Sequence, residues 1–408
     1  MEYISRHLER KFLHMSEFFK AVLVTGARQV GKTTMLKHLC KGQNRTYVSM
    51  DSSMARDLAR TDPILFFQTY KPPILIDEIQ KAPELLEQIK IICDNTEEKG
   101  LFWLTGSQQR KLMKHTHDTL AGRVCILKMY SLSQEEKAGI RYGNEQDFSL
   151  ACLLERQKLR PKNDIVKVFE HIWRGGMPQA QTADAEQLSE YFESYVDTHL
   201  LHDVERDTEI RDTVRFEKFL RACAALVSQQ VNYANLSEAT GISEPTAKSW
   251  LEVLDGMGIV YLLQPYSNNN FTRLAKTPKL YFCDTGLAVH LSMWLTRETL
   301  MNGAASGAFY ENYVIAELLK SYSYSKSKVN LAYFRDQNAK EIDIVVEENN
   351  FIHPLEIKKS ANPDRREAKK FTTLDKAGIQ RETGGIICMC EEPFPIDSSN
   401  CFIPCNLL

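Results

Sequence analysis

The stretch Gly26-Ala27-Arg28-Gln29-Val30-Gly31-Lys32-Thr33 has the spacing G-x-x-x-x-G-K-[ST]. Each residue type in it answers a need of a bound triphosphate. Glycines let the backbone curl until successive N–H groups point at one anion, and a helix starting there adds its positive end. A lysine at this position reaches the β- and γ-phosphates, and the adjoining hydroxyl ligates Mg2+. Gly26, Ala27, Arg28, Gln29, Val30, Gly31, Lys32, Thr33 and Thr34 are therefore expected to bind ATP, with Lys32 on the phosphates and Thr33 in the Mg2+ shell. Pro73-Ile74-Leu75-Ile76-Asp77-Glu78 reads as a short buried strand ending in two carboxylates. Asp77 is expected to hold the Mg2+ shell and Glu78 to polarise the attacking water as general base. A third apolar run, Leu101-Phe102-Trp103-Leu104, ends in Thr105-Gly106-Ser107. A hydroxyl there can contact the γ-phosphate or the water, although Thr and Ser are also ordinary strand-end residues.

A second set of candidates lies toward the C-terminus. Glu341-Ile342-Asp343-Ile344-Val345-Val346 alternates as a strand with Asp343 off the apolar face. After a polar turn near Glu348-Asn349-Asn350, the run Leu355-Glu356-Ile357-Lys358 puts Glu356 and Lys358 on one face of a second strand. Paired across a hairpin, Asp343 and Glu356 can converge on one Mg2+. Lys358 would then orient the attacking water or offset phosphorane charge, which is a nuclease layout. Glu311, at the start of a helical run through Val314, Ile315, Leu318 and Leu319, can complete the metal shell. The bare pattern E-x-K carries little, because Glu9-x-Lys11, Glu97-x-Lys99, Glu135-x-Lys137 and Glu367-x-Lys369 repeat it. A half-buried hairpin with a surface ion pair fits the same residues.

These side chains need elements to position them. Short apolar runs alternate with helical stretches up to about residue 135, the pattern of a parallel α/β sheet. Such sheets gather ligands at the C-terminal ends of their strands, where the loop and both carboxylates fall. Residues 141–165 are polar and broken. Helical periodicity then dominates to about 255, interrupted by Trp173-Arg174-Gly175-Gly176-Met177-Pro178. Within it, Phe216 to Val227, Leu236 to Thr240 and Glu244 to Leu254 read as three helices, with Gly241-Ile242 as a turn and Ser243 as a cap. Ile259 to Leu263 and Lys279 to Phe282 then make a hairpin with a polar tip at Ser267 to Asn270, a winged helix-turn-helix outline. In that outline Thr246, Lys248 and Ser249 would face a DNA groove, and Arg273, Lys276 and Lys279 would meet phosphates. A helical module that only packs, or that binds protein, is the alternative.

Composition bounds the rest. A chain of 408 residues holds two or three domains. Lys plus Arg is 51 against 53 for Asp plus Glu, so a nucleic-acid surface must be a local patch. The start, Met1 to Arg6, lacks a basic-then-apolar signal layout, and no apolar run nears the ~20 residues of a membrane span. The 10 cysteines suit a reducing compartment, and the spacing of Cys388, Cys390, Cys401 and Cys405 fits no zinc pattern well. A cytoplasmic protein with no membrane partner is expected, and the oligomeric state stays open.

Taken together, these stretches resemble a family of bacterial and archaeal ATPases that pair an N-terminal AAA-type domain with a C-terminal domain of unknown function. That C-terminal region is similar to the restriction-endonuclease-like, or PD-(D/E)xK, nucleases. The carriers are Gly26 to Thr34, Ile76 to Gln80, Leu104 to Ser107, Leu120 to Arg123, Trp173 to Pro178, Tyr281 to Gly286, Gly307 to Glu311, Arg335, Glu341 to Ile344 and Glu356 to Lys358. The resemblance implies Lys32, Thr33, Asp77 and Glu78 in the roles above, Ser107 or Thr105 as sensor, and Arg123 as an arginine finger or second sensor. A domain-edge ion pair is the alternative for Arg123. Where the family has an Arg-Asp pair, this chain has His202-Asp203, and no role is implied there. The expected fold class is α/β: a P-loop sheet over 1–140, a helical and winged-helix region over 165–295, and a nuclease-like α/β domain over 300–408. The expected function is Mg2+-dependent ATP hydrolysis controlling a DNA-binding, DNA-cleaving C-terminal region. A nucleotide-gated signalling protein with an inert nuclease-like fold is the alternative.

Overall fold

The computed structural model describes residues 3–106, 120–140, 148–160, 162, 164–208, 210–266, 277–325, 329–336, 338–348, 351–376 and 379–408. They form two compact units, Met1–Tyr142 with Val253–Ile259, and Gly143–Glu252 with Val260–Leu408.

The first unit runs α1 (Leu8–Ser16), β1 (Ala21–Thr25), α2 (Lys32–Cys40), β2 (Thr46–Ser49), α3 (Ser53–Thr61), α4 (Pro63–Thr69), β3 (Ile74–Asp77), α5 (Leu85–Asp94), β4 (Phe102–Gly106), β5 (Val124–Lys128) and α6 (Gln134–Lys137). Its strands make one parallel sheet in the order β2-β3-β4-β1-β5. β1, β3 and β4 are buried along their whole length. Helices cover both faces of such a sheet, so its strands read as continuous apolar runs rather than alternating ones. Inserting β4 between β1 and β3 has a direct consequence. The phosphate loop after β1, Thr105 on β4 and Asp77 on β3 all reach the same sheet edge, side by side.

The second unit contains α7 (Ile165–Arg174), α8 (Thr213–Ala225), α9 (Tyr233–Thr240), α10 (Glu244–Gly256, whose residues 253–256 count with the first unit), β6 (Val260–Pro265), β7 (Lys279–Phe282), α11 (Thr285–Leu291), α12 (Ser306–Tyr324), β8 (Val329–Arg335), β9 (Glu341–Glu348), β10 (Phe351–Lys358), β11 (Gly384–Cys388), β12 (Phe394–Pro395) and β13 (Asn400–Pro404). The three expected helices and the hairpin after them are all formed. Asn232 caps α9 and Gly241, at φ 70°, ends it. The tip residues 267–276, including Arg273 and Lys276, lie outside the described residues.

β6 pairs antiparallel with β7 on one side and parallel with β8 on the other, so hairpin and C-terminal strands form one sheet ordered β12-β13-β11-β10-β9-β8-β6-β7. Phe334, Ile342, Val345, Ile352, Phe371, Ile386 and Phe402 pack into its core.

The glycine-rich turn after α7 has a packing reason. Gly176 N donates to Asp284 Oδ2 at 2.8 Å, and Asp284 Oδ1 accepts from Leu287 N to cap α11. A Cβ on Gly175, at φ +73°, would stand 2.4 Å from that carboxylate and 2.7 Å from Gly286 N. The Trp173–Pro178 and Tyr281–Gly286 stretches are thus one interlocked joint.

Candidate functional site

The loop after β1 adopts the backbone its glycines allow. Gly26, Gln29 and Gly31 have φ of 144°, 61° and 100°, and α2 begins at Lys32 with Gly31 as its left-handed N-cap. Alternating handedness turns successive N–H groups to one side, an anion nest at a helix start. A Cβ on Gly26 would lie 2.1 Å from Met129 O, so no other residue fits there. Lys32 is buried, and its Nζ donates to Gly26 O at 2.9 Å and Ala27 O at 2.8 Å. The ammonium therefore rests on the loop that would wrap the phosphates. Thr34 is exposed in the first turn of α2.

Asp77 closes the site. Thr33 Oγ1 and Thr105 Oγ1 each donate to Asp77 Oδ1 at 2.5 Å, and Tyr47 OH donates to Oδ2 at 3.4 Å. Hydroxyls this near a carboxylate make charge-assisted bonds. Thr105, fully buried, also accepts from Glu78 N at 3.0 Å and so couples both acids to β4. Of the two sensor candidates, Thr105 is brought to the acids; Ser107 lies outside the described residues. Glu78 has φ 59°, a left-handed backbone in a non-glycine residue, and its Oε2 accepts from Gln80 Nε2. Strain of that kind collects at working sites. The Thr33 hydroxyl and the Asp77 carboxylate are hard oxygen donors held together, a set that fits Mg2+.

Arg123 is not brought to this site. It precedes β5 at the sheet edge where β1 begins, and Ala21 pairs with Val124. The length of β1 separates it from the phosphate loop, about 15 Å at the rise of a strand. Its Nε donates to Asp94 Oδ1 at 2.5 Å and its NH2 to Oδ2 at 3.1 Å. The edge ion pair is what forms, at the opposite end of β1 from the phosphate loop.

The C-terminal acids sit where two strands fork. The β9–β10 ladder runs to Ile344↔Leu355. One residue on, the Asp343 carboxylate replaces the ladder, its Oδ2 accepting from Ile357 N at 2.9 Å. Glu356 is 1% exposed, and its Oε1 takes Lys358 Nζ at 2.7 Å and Lys370 Nζ at 2.6 Å. Lys370 also meets Glu367 at 2.7 Å. A cavity of about 540 Å³ opens here, lined by the acids Glu341, Asp343 and Glu356 and the bases Lys340, Lys358, Arg366, Lys369 and Lys370.

Glu311 arrives differently from the expected metal ligand. Its Oε1 accepts from Tyr281 OH at 2.6 Å and Lys279 Nζ at 3.2 Å. Lys279 also meets Glu341 at 2.6 Å and approaches Asp343 at 3.9 Å. Expected to contact DNA phosphates, Lys279 is instead 4% exposed and the counter-ion of three acids. Burial works against its charge, but those acids outweigh it and raise its pKa. Of the expected quartet, Asp343, Glu356 and Lys358 line one cavity, while Glu311 is held by Lys279 and Tyr281. Among the described residues no three His, Cys, Asp or Glu are grouped to hold a metal ion. Asp343 is pushed up to about 6, by burial first and then by Glu311. Glu356 is raised too, by burial and then by Asp343. The Glu356 Oε2 atom is buried with no hydrogen-bond partner.

On the helix expected to read DNA, Lys248 and Ser249 are exposed and Thr246 is half-buried. Sequence reasoning missed Lys370, and met Glu367 only in the discounted repeat Glu367-x-Lys369. It also missed Gln80, for which the resemblance offered just a position.

Comparisons with known proteins add the following. Residues 18–138 match the family model of an AAA domain. Residues 165–298 and 306–408 match two domains of unknown function, DUF8612 and DUF4143. Uncharacterised proteins of Mycobacterium bovis and Mycobacterium tuberculosis are each 24% identical over 400 residues, covering 97% of this chain and 82% of theirs. Among solved structures, a Walker-type ATPase of Pyrococcus abyssi aligns at TM-score 0.44 and 15% identity, over 71% of this chain and 96% of its own. The RuvB Holliday junction branch migration motor of Thermotoga maritima aligns at TM-score 0.32 and 16% identity, over 64% and 90%. The first unit is a P-loop ATPase domain of AAA type, a nucleotide-binding α/β fold. Among the described residues no helix is long and apolar enough to cross a membrane.

Proposed function

We propose that this chain is a Mg2+-dependent ATPase whose nucleotide state governs a DNA-binding C-terminal region. The observation that carries the ATPase half is the convergence of Thr33 and Thr105 on Asp77, with Glu78 tied to Thr105. Thr33 and Asp77 would hold Mg2+, which when bound offsets charge on the phosphates. Lys32 leaves the loop carbonyls for the β- and γ-phosphates. Glu78 takes a proton from water after release from Gln80, and the Thr105 hydroxyl aligns it. Water drawn toward the Glu78 carboxylate is the nucleophile, so Glu78 works as a base rather than a ligand.

The DNA half rests on the basic rim of the C-terminal cavity, Lys340, Lys358, Arg366, Lys369 and Lys370, and on exposed Lys248 and Ser249 in a winged-helix arrangement. Arg and Lys around a cleft suit phosphodiester oxygens. Cleavage is a second reading, favoured by the unpartnered Glu356 Oε2 beside Asp343. It requires Lys370 to release Glu356, because a carboxylate held by two ammonium groups has little charge left for a cation.

The test is ATP turnover and DNA binding by wild type, Lys32→Ala and Asp343→Ala on duplex, single-stranded and branched DNA. Turnover lost in Lys32→Ala together with DNA affinity that responds to nucleotide supports the proposal. Turnover with no DNA binding at any salt concentration leaves the ATPase and removes the DNA half. Nicking by wild type that is lost in Asp343→Ala establishes the second reading.

A further inference from the structure

Arg6 is 5% exposed, although it lies ahead of the first helix and belongs to no motif. A guanidinium is costly to bury without partners, and these partners are specific. NH1 donates to Val30 O at 2.7 Å, NH2 donates to Tyr130 O at 2.7 Å, and Nε lies 3.2 Å from Glu136 Oε1. Val30 is inside the phosphate loop, between the two residues of positive φ, Gln29 and Gly31. We infer that Arg6 is a positioning residue of the nucleotide site, fixing the phosphate loop from behind.

The reason is peptide geometry. In a planar trans peptide the C=O and N–H point in opposite directions. Pinning the Val30 carbonyl toward Arg6 therefore aims the Gly31 N–H the other way, toward the concave side of the loop. Arg6 itself is held by a rigid support. Glu136 Oε2 accepts from Ser133 N at 2.9 Å, Glu136 N donates to Ser133 Oγ at 3.2 Å, and Glu136 Oε1 accepts from His7 N at 2.7 Å. That capping box starts α6. The same segment supplies the Met129 carbonyl that leaves room only for glycine at position 26. Met129 to Glu136 is thus the backing of the loop, and the fork of Arg6 bolts the two together. A lysine could not replace it, since one ammonium lacks the planar fork that spans two carbonyls and a carboxylate.

The inference rests on the ATP-binding reading, and the experiment separates the two. Binding of a fluorescent ATP analogue and steady-state turnover are measured on wild type, Lys32→Ala, Arg6→Met, Arg6→Lys, Arg6→Ala and Glu136→Gln, with thermal melts for each. Arg6→Met is expected to weaken nucleotide affinity about tenfold or more. KM should rise while kcat stays near wild type, because Glu78 and Thr105 are untouched. Arg6→Lys should not restore affinity. Millimolar guanidinium should restore it to Arg6→Ala, whereas equal NaCl should not. Glu136→Gln keeps an acceptor for Ser133 N but loses the ion pair and the oxygen that takes His7 N, so its affinity should fall between wild type and Arg6→Met. A folded Arg6→Met with wild-type affinity overturns the inference. If Arg6→Met does not fold, unchanged affinity in Glu136→Gln overturns it instead. Wild type that binds no more nucleotide than Lys32→Ala sinks the ATP reading itself.

Discussion

Single side chains carry most of the chemistry, and several carry a cost. Glu78→Gln should still bind ATP yet lose about 10²- to 10⁴-fold in turnover, the range for removing a general base. Stopped-flow binding beside phosphate release checks this, and normal turnover would remove Glu78 from the role. Thr105→Val should keep binding and lose turnover too, because Asp77 and the Glu78 amide share that one hydroxyl. Asp343 shows the cost. Its pKa, raised to about 6, means the folded state holds a proton more tightly than the unfolded chain. Stability from this group is therefore greatest below the ordinary aspartate value and is lost as pH rises through about 6. Asp343→Asn should stabilise the protein at pH 8, by on the order of 1–3 kcal/mol, with the gain shrinking toward pH 4. Urea titrations at both values test this, and a gain independent of pH would contradict it. Glu136 runs the other way. Burial alone would raise it, but Arg6, His7 and two backbone N–H groups pull it below the usual range. Its stabilisation is present above the ordinary glutamate value and is lost as pH falls through the lowered one.

Elements decide which of these residues meet. Gly175→Ala puts a Cβ against Asp284 and Gly286 N at a left-handed backbone position. It should destabilise by about 2–4 kcal/mol. Denaturant melts would show this, and a change under 1 kcal/mol would mean the joint can give. The phosphate loop, β1, β3 and the three-helix run with its hairpin were legible in the sequence, because period, caps and glycines are local signals. Arg6 and Lys279 were not. Arg6 meets Val30 and Glu136 only after the sheet brings the N-terminal segment against the loop. Lys279 reads as a basic residue beside a polar hairpin tip, and only the fold shows it among Glu311, Glu341 and Asp343. Arg123 shows the same limit: a motif gives a position in the chain, while the sheet decides which edge it occupies, and there the ion-pair alternative forms. The second lysine on Glu356, Lys370, comes from the turn Arg365–Phe371, whose side chains follow no period that would aim them at β10.

For the whole molecule, charge sets the first expectation. With a formal net charge of −2 there is no global attraction to nucleic acid, so the proposed DNA binding would have to come from patches such as the cavity rim. If its five basic residues each neutralise a phosphate, log affinity should fall against log salt with a slope of roughly −4 to −5 on duplex DNA. Lys369→Glu with Lys370→Glu should flatten that slope, as read by fluorescence anisotropy across a salt series. An unchanged slope would place the contacts elsewhere. One seam in the second unit has a mechanical consequence. Among the described residues β6 joins β8 through Gln264↔Ala332 and Pro265↔Tyr333, extended by Tyr266 N donating to Tyr333 O at 2.6 Å. Tyr333 OH then donates to Thr277 O at 2.5 Å and accepts from Gln230 Nε2 at 3.1 Å. A pull on the hairpin loads this short seam by peeling, one bond after another, whereas the long β8–β9 ladder bears load along its length. Tyr333 is the rivet in a mechanical fuse, and the seam yields before either flanking ladder does.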